Sequence, residues 1–188
     1  MATTAVSICN AALFMAGSED INSFSDNTEE ARLAGSIYED TKQFVLQYHP
    51  WRFSFFQKDL GGALIETPVT DEYDNIYQLP PDFLRLSHVD GNEDYKLFQD
   101  KIYTDANPCL ITYQANISEG DMPAFFVRPL QFELASIFVL ALQEDARKAD
   151  LFEKRAKSEL MRAKNIDAQQ QPNEGIPDTN YTLLNIRG

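Results

Sequence analysis

The stretch from Glu29 to Phe56, EEARLAGSIYEDTKQFVLQYHPWRFSFF, decides the fold. Ala34, Ile37, Thr41, Phe44, Val45 and Tyr48 recur at spacings of three and four, so they share one helix face. Glu29, Glu30, Glu39, Asp40, Lys42 and Gln47 fall largely elsewhere on the wheel and are expected to stay wet. Asn27-Thr28 offers an N-cap, and Glu29 and Glu30 sit in the first turn, where the helix dipole favours anions. Pro50 biases His49 away from helical angles, which predicts the helix end. The only tryptophan, Trp51, then stands where helix gives way to strand, a predicted hinge of the core.

Before this stretch, Ala5, Ile8, Cys9, Ala12, Leu13 and Ala16 predict an apolar stripe on a first helix. Thr3 and Thr4 can cap it and Gly17 can stop it. A polar loop with two anchors, Ile21 and Phe24, joins the two helices.

After it, Gly61-Gly62 breaks the first strand. Residues 66–75 are acidic and turn-rich, a predicted exposed loop. Short strands are expected at 76–79, 83–89, 95–98 and 101–104, with turns at Pro80-Pro81, Asp90-Gly91-Asn92 and Gln99-Asp100. Residues 109–115, CLITYQA, are the strongest β signal in the chain. Asp121-Met122-Pro123 opens a third helix, with Pro129 expected to restart or kink it. From Leu130 that helix is apolar on most sides. A polar break at 146–150 is either a bend or the start of a fourth helix, striped by Ala149, Phe152, Ala156, Leu160 and Ala163.

The fourth helix carries Arg147, Lys148, Lys154, Arg155, Lys157, Arg162 and Lys164, seven of the chain's 16 lysines and arginines. They form either a solvated face with pairs such as Glu153–Lys157 and Asp150–Lys154, or a docking surface for an acidic neighbour. Within that face Arg147, Lys154, Arg155 and Arg162 are the candidate contact residues. Residues 169–178 have no periodicity and read as an extended linker. Beyond it, Tyr181, Leu183, Leu184 and Ile186 make a short apolar segment that either docks on a partner or folds back on its own domain, with the partner reading preferred because the core is complete without it.

The expected fold is α+β. A helical bundle of about four helices comes from residues 1–50 and 121–166. A small antiparallel β-sheet domain, residues 51–120, is inserted between helices 2 and 3. Residues 167–188 form an extended C-terminal arm.

The net charge is −13. That argues against an electrostatic grip on nucleic acid, which needs a basic stripe. Cys9 and Cys109, one in a helix and one in a predicted strand, are expected to be small buried apolar groups, not a staple or a metal pair. No apolar run approaches the roughly 20 residues that cross a bilayer, and no basic region precedes the N-terminal apolar stretch, so neither a membrane span nor a secretory signal is expected. Synthesis in a reducing cytoplasm is the corresponding expectation.

Chemistry is sparse. Gly61-Gly62 lacks the rest of a phosphate-binding loop. His49 and His88 have no His or Cys at metal-ligand spacing, so no metal and no cofactor is expected. Ser87, His88 and Asp90 make no triad, because strand neighbours point to opposite faces. Glu66, Asp71, Glu72, Asp74, Glu119 and Asp121 could supply paired carboxylates for glycoside hydrolysis, but all lie in polar loops where nothing raises a pKa. No enzymatic role is expected.

Several blocks, in order, resemble the tail tubular protein A family, the head-to-tail adaptors of short-tailed bacteriophages. They are Asn10-Ala11-Ala12-Leu13 to Gly17 with Ile21; the long helix running into His49-Pro50-Trp51-Arg52-Phe53; Tyr77-Gln78-Leu79-Pro80-Pro81-Asp82-Phe83-Leu84-Arg85; Ile111-Thr112-Tyr113 with Asp121-Met122-Pro123 and Phe126; and Leu134-Ala135 with Ala156 and Ala163-Lys164. Together they cover most of residues 8–170.

The resemblance implies a structural virion protein of the tail and neck, made in the host cytoplasm. It implies a dodecameric ring between the portal protein and a tail nozzle protein similar to tail tubular protein B, with the genome passing through its lumen. An acidic chain suits a conduit that should not hold DNA. Subunits of such a ring are expected to stay monomeric until the portal templates them. The alternative function is a peptidoglycan hydrolase carried by the virion, working through Glu66 or Glu72. A cellular protein-interaction module is a third.

Overall fold

The computed structural model describes residues 3–66 and 72–170. Among the described residues four helices and six strands follow in the order α1 (Ala5–Ala16), α2 (Glu29–Gln47), β1 (Phe55–Asp59), β2 (Asn75–Gln78), β3 (Phe83–Val89), β4 (Tyr95–Phe98), β5 (Lys101–Thr104), β6 (Leu110–Ala115), α3 (Ala124–Gln143) and α4 (Ala146–Gln169). The protein is α+β, with every one of these strands lying between α2 and α3 in sequence.

Local chemistry sets the helix ends. The Thr4 hydroxyl accepts from Ser7 N–H, and the Ser7 hydroxyl accepts from Thr4 N–H, a reciprocal cap. Gly17 closes α1 at φ 86°, a left-handed angle that favours glycine. Thr28 caps α2 through Ala31 N–H. Glu144, also left-handed, ends α3, and Asp145 caps α4 by accepting from Arg147 and Lys148 N–H. The polar break is therefore the start of the fourth helix. Pro129 does not restart α3. It lies early in one continuous helix, where the lost donor concerns only Phe125 O, and its ring is buried.

α3 is the core helix. Its length and composition suffice to cross a bilayer, with mean hydropathy 1.6, so the expectation that no run reaches that size does not hold. Here it packs against α1, α2 and α4 and buries Phe126, Leu130, Leu134, Ala135, Phe138 and Val139. Each large side chain among them contributes about 1.5–3 kcal/mol by leaving water.

The face of α2 is rotated from the expected one. Tyr38 and Lys42 are buried, while Phe44 and Tyr48 are 60% and 50% exposed. The cause is polar. Lys42 Nζ reaches Glu119 Oε1 at 3.0 Å, and the Tyr38 hydroxyl donates to the same oxygen at 3.2 Å. A buried ammonium is tolerated when so paired.

The strands fall into two three-stranded antiparallel sheets, β1-β6-β3 and β2-β5-β4, where one sheet was expected. Pro80-Pro81 after β2 prevents a β2–β3 hairpin. β2 pairs instead with β5, and β3 with β6. β1 starts at Phe55, because Arg52–Ser54 form a 3-10 turn.

The junction between bundle and sheet is Trp51. It is fully buried, donates Nε1–H to Val45 O at 3.0 Å, and meets Phe126 edge-on at 5.3 Å. Beside it Gln114, buried on β6, donates to Leu46 O, His49 O and Ser54 Oγ. One side chain thus ties the last turn of α2 to the sheet.

Candidate interaction surface

The α4 stripe contains Ala149, Phe152, Ala156, Leu160 and Ala163, as its spacing predicts. It also buries two acids that the apolar pattern passes over, Glu159 (6% exposed) and Asp167 (1%). Both stand one helical turn from Ala163, on the stripe itself. That registry is the one signal in the sequence that could have found them.

Three guanidiniums converge on Glu159. Arg162 Nη1 lies 3.2 Å from Oε1, Arg155 Nε 3.5 Å from the same oxygen, and Arg128 Nε, from α3, 3.5 Å from Oε2. Phe132 lies beneath, its ring centroid 5.7 Å from the Arg128 guanidinium and 5.9 Å from that of Arg155. Three cations against one anion leave +2, held in place by a buried carboxylate and an aromatic face. The three arginine side chains remain 54–67% exposed, and each guanidinium has more donors than the one that meets Glu159.

The rest of the basic helix is differently engaged. Lys154 pairs with Asp150 at 2.6 Å and Lys157 with Glu153 at 2.5 Å, as the i,i+4 spacing predicts. Lys148 turns inward and donates to Ala16 O, the carbonyl end of α1. Lys164 lies 4.3 Å from the Tyr48 ring centroid. Arg147 is exposed in the first turn, with no ion pair among the described residues. Of the four candidate cations, Arg155 and Arg162 are brought together, and Arg147 and Lys154 are not part of that cluster. The other candidates, Tyr181, Leu183, Leu184 and Ile186, lie outside the described residues.

Asp167 anchors the end of α4. It accepts Arg52 N–H, at 3.2 Å to Oδ1, with His49 Nε2 at 3.6 Å and Arg52 Nε at 4.0 Å. Residues 167–169, expected in the arm, are therefore helical, and the helix outlasts its expected end at 166. Burial holds the His49 imidazole below its ordinary range; Asp167 opposes this, while Lys164 and Arg85 add to it.

The remaining reactive side chains are occupied structurally. Cys9 and Cys109 are free and buried, and burial pushes their thiols to about 12 and about 11. Glu66 pairs with Lys101, and Glu72 with Lys96. Asp71 lies outside the described residues. Burial pushes the Glu119 carboxyl up, but its own backbone N–H, Lys42 and Tyr38 outweigh burial and hold it below the usual glutamate range. Asp121 accepts from Ser118 Oγ at 2.6 Å. Among the described residues no cluster of His, Cys, Asp and Glu is arranged to hold a metal ion.

A second surface feature adjoins α4. An open groove of about 330 Å³ lies between α2, α3 and α4, lined by Phe44, Tyr48, Pro129, Ala156 and Leu160, with Glu133, Glu153 and Lys157 as its charged groups. No protein-family model matches this sequence, and no curated protein matches it.

Proposed function

We propose that this chain is a structural virion protein, the head-to-tail adaptor of a short-tailed bacteriophage. It forms a dodecameric ring between portal protein and tail nozzle protein and does no covalent chemistry. DNA passes its lumen without being gripped.

The observation that carries this reading beyond the sequence blocks is the Arg128–Arg155–Arg162 cluster around Glu159. A ring needs two different, mutually complementary faces on each subunit. A fixed +2 patch on a chain of net charge −13 supplies one such face, and acidic surface elsewhere on the next subunit supplies the other.

Replacing Arg155→Gln and Arg162→Gln together leaves Arg128 to pair Glu159 and preserves the fold. Electron microscopy of this variant mixed with portal should show rings absent or incomplete where the natural chain gives complete ones. Complete rings of the double variant on portal would refute the reading.

A further inference from the structure

The groove between α2, α3 and α4 is apolar along its length and acidic at one end. Phe44 and Tyr48 face it while remaining 60% and 50% exposed. Its direction is fixed by the neighbours of α4. The Tyr48 and Leu160 end lies towards the C-terminus of α4, where Lys164 meets Tyr48. The Glu133 and Glu153 end lies towards its N-terminus. Glu133 has no hydrogen-bond or ion-pair partner for its carboxylate among the described residues. Burial and then the Glu153 charge push its carboxyl above the ordinary range, with Lys157 opposing.

The chain that leaves α4 has the complementary order. After Gln170 come ten residues without an apolar run, then Tyr181, Leu183, Leu184 and Ile186, then Arg187. Leu160 lies ten helical residues, about 15 Å, before Gln170. Residues 171–180 can span about 33 Å, twice that return distance. A segment that doubles back along α4 meets the Tyr48 and Leu160 end first and the Glu133 end last. Tyr181 would then enter at the apolar end and Arg187 arrive at the unpaired carboxylate.

We propose that residues 181–187 dock in this groove of their own chain, with Arg187 against Glu133. The segment thereby covers Phe44 and Tyr48 in the free subunit. Such docking is a property of the isolated chain and is independent of any role in a virion.

The test is a disulfide trap in the full chain carrying Phe44→Cys and Leu184→Cys. Both natural thiols are buried, and Phe44 is exposed enough to be replaced without unfolding. Under mild oxidation at low protein concentration the cross-link should form within one chain, giving a faster-migrating monomer. Leu151→Cys with Leu184→Cys is the control, because Leu151 is 67% exposed and half a turn around α4 from the groove; it should cross-link at least tenfold more slowly.

A second measurement uses a synthetic peptide of residues 179–188. It should bind the chain lacking residues 171–188 at least tenfold more tightly than the full chain, and Glu133→Gln should weaken that binding. Cross-links found only between chains would assign the groove to a second copy and overturn the proposal. So would equal cross-linking rates for the groove pair and the control pair, or equal peptide binding by full and truncated chains.

Discussion

Asp167 is the best single position at which to test how α4 is held. Its carboxylate is 1% exposed and accepts Arg52 N–H, joining the last turn of α4 to the turn that follows Trp51. Asp167→Ala leaves that N–H without its acceptor. A hydrogen bond to a charged group contributes about 1.5–3 kcal/mol. The His49 and Arg52 side chains, at 3.6 and 4.0 Å, add little, since the imidazole is held neutral and the guanidinium is partly in water. The expected loss is therefore about 2–3 kcal/mol for Asp167→Ala and about 1 kcal/mol for Asp167→Asn, which keeps an acceptor. In a chain of this size each kcal/mol moves Tm by about 2–4 °C, so the alanine variant should melt about 4–12 °C lower. Urea unfolding followed by Trp51 fluorescence measures the first number, since Trp51 is the sole tryptophan and is buried. Amide exchange over residues 164–170 measures the second effect: protection there should fall more than in α3. An alanine variant within about 0.5 kcal/mol of the natural chain, with unchanged exchange at 164–170, would refute the clasp.

Two further outcomes concern the same junction. Because burial lowers the folded pKa of His49 below the ordinary 6.5, the unfolded chain takes up its proton first as pH falls. The stability contribution is then complete above about 6.5 and is lost as pH drops from there through the lower folded value. Urea midpoints measured from pH 7.5 to 5 should decline, and His49→Gln should flatten that decline; an unchanged slope would count against it. Trp51→Phe keeps an aromatic ring against Phe126 but removes the donor to Val45 O, so thermal melts followed by circular dichroism should show a loss of about 1–3 kcal/mol. Trp51→Ala should cost about 3–5 kcal/mol, and a Trp51→Phe variant as stable as the natural chain would sink the hydrogen-bond argument.

The elements that sequence conveyed well are those whose signal is local. The Thr4 and Thr28 caps, the Gly17 stop and strands 83–89, 95–98 and 101–104 follow from nearby chemistry and stand where expected. What escaped was non-local. Apolar spacing found only part of the α2 face: Ala34, Thr41 and Val45 are buried as expected, but Phe44 and Tyr48 are exposed and Lys42 is drawn inward by Glu119, 77 residues away. Division into two sheets depends on which strands pair across the chain, and only Pro80-Pro81 hints at it. At the candidate surface, Arg155 and Arg162 were visible as cations on a helix. Arg128 and Glu159, which turn them into a fixed cluster, were not, since one lies on α3 and the other interrupts an apolar stripe.

Of the seven cations on α4, two gather with Arg128 at the buried Glu159, while Arg147 stands exposed apart from them. Lys148 is taken up by the end of α1, Lys154 and Lys157 by acids one turn away, and Lys164 by an aromatic face. Exposed pairs of that kind leave little field beyond a Debye length of about 8 Å at physiological salt. Glu159 does the opposite. It draws three guanidiniums to one place and neutralises only one of them. On a chain whose net charge is −13, that would give the proposed ring contact a preferred orientation as well as a favourable sign. Asp167 then fixes where α4 ends, and so fixes the point from which the following residues can reach either the groove or a neighbour. Orientation from one buried carboxylate and reach from the other are two separable properties. Glu159→Gln should loosen subunit contacts in salt-dependent fashion and leave the 164–170 amides protected, while Asp167→Ala should do the reverse.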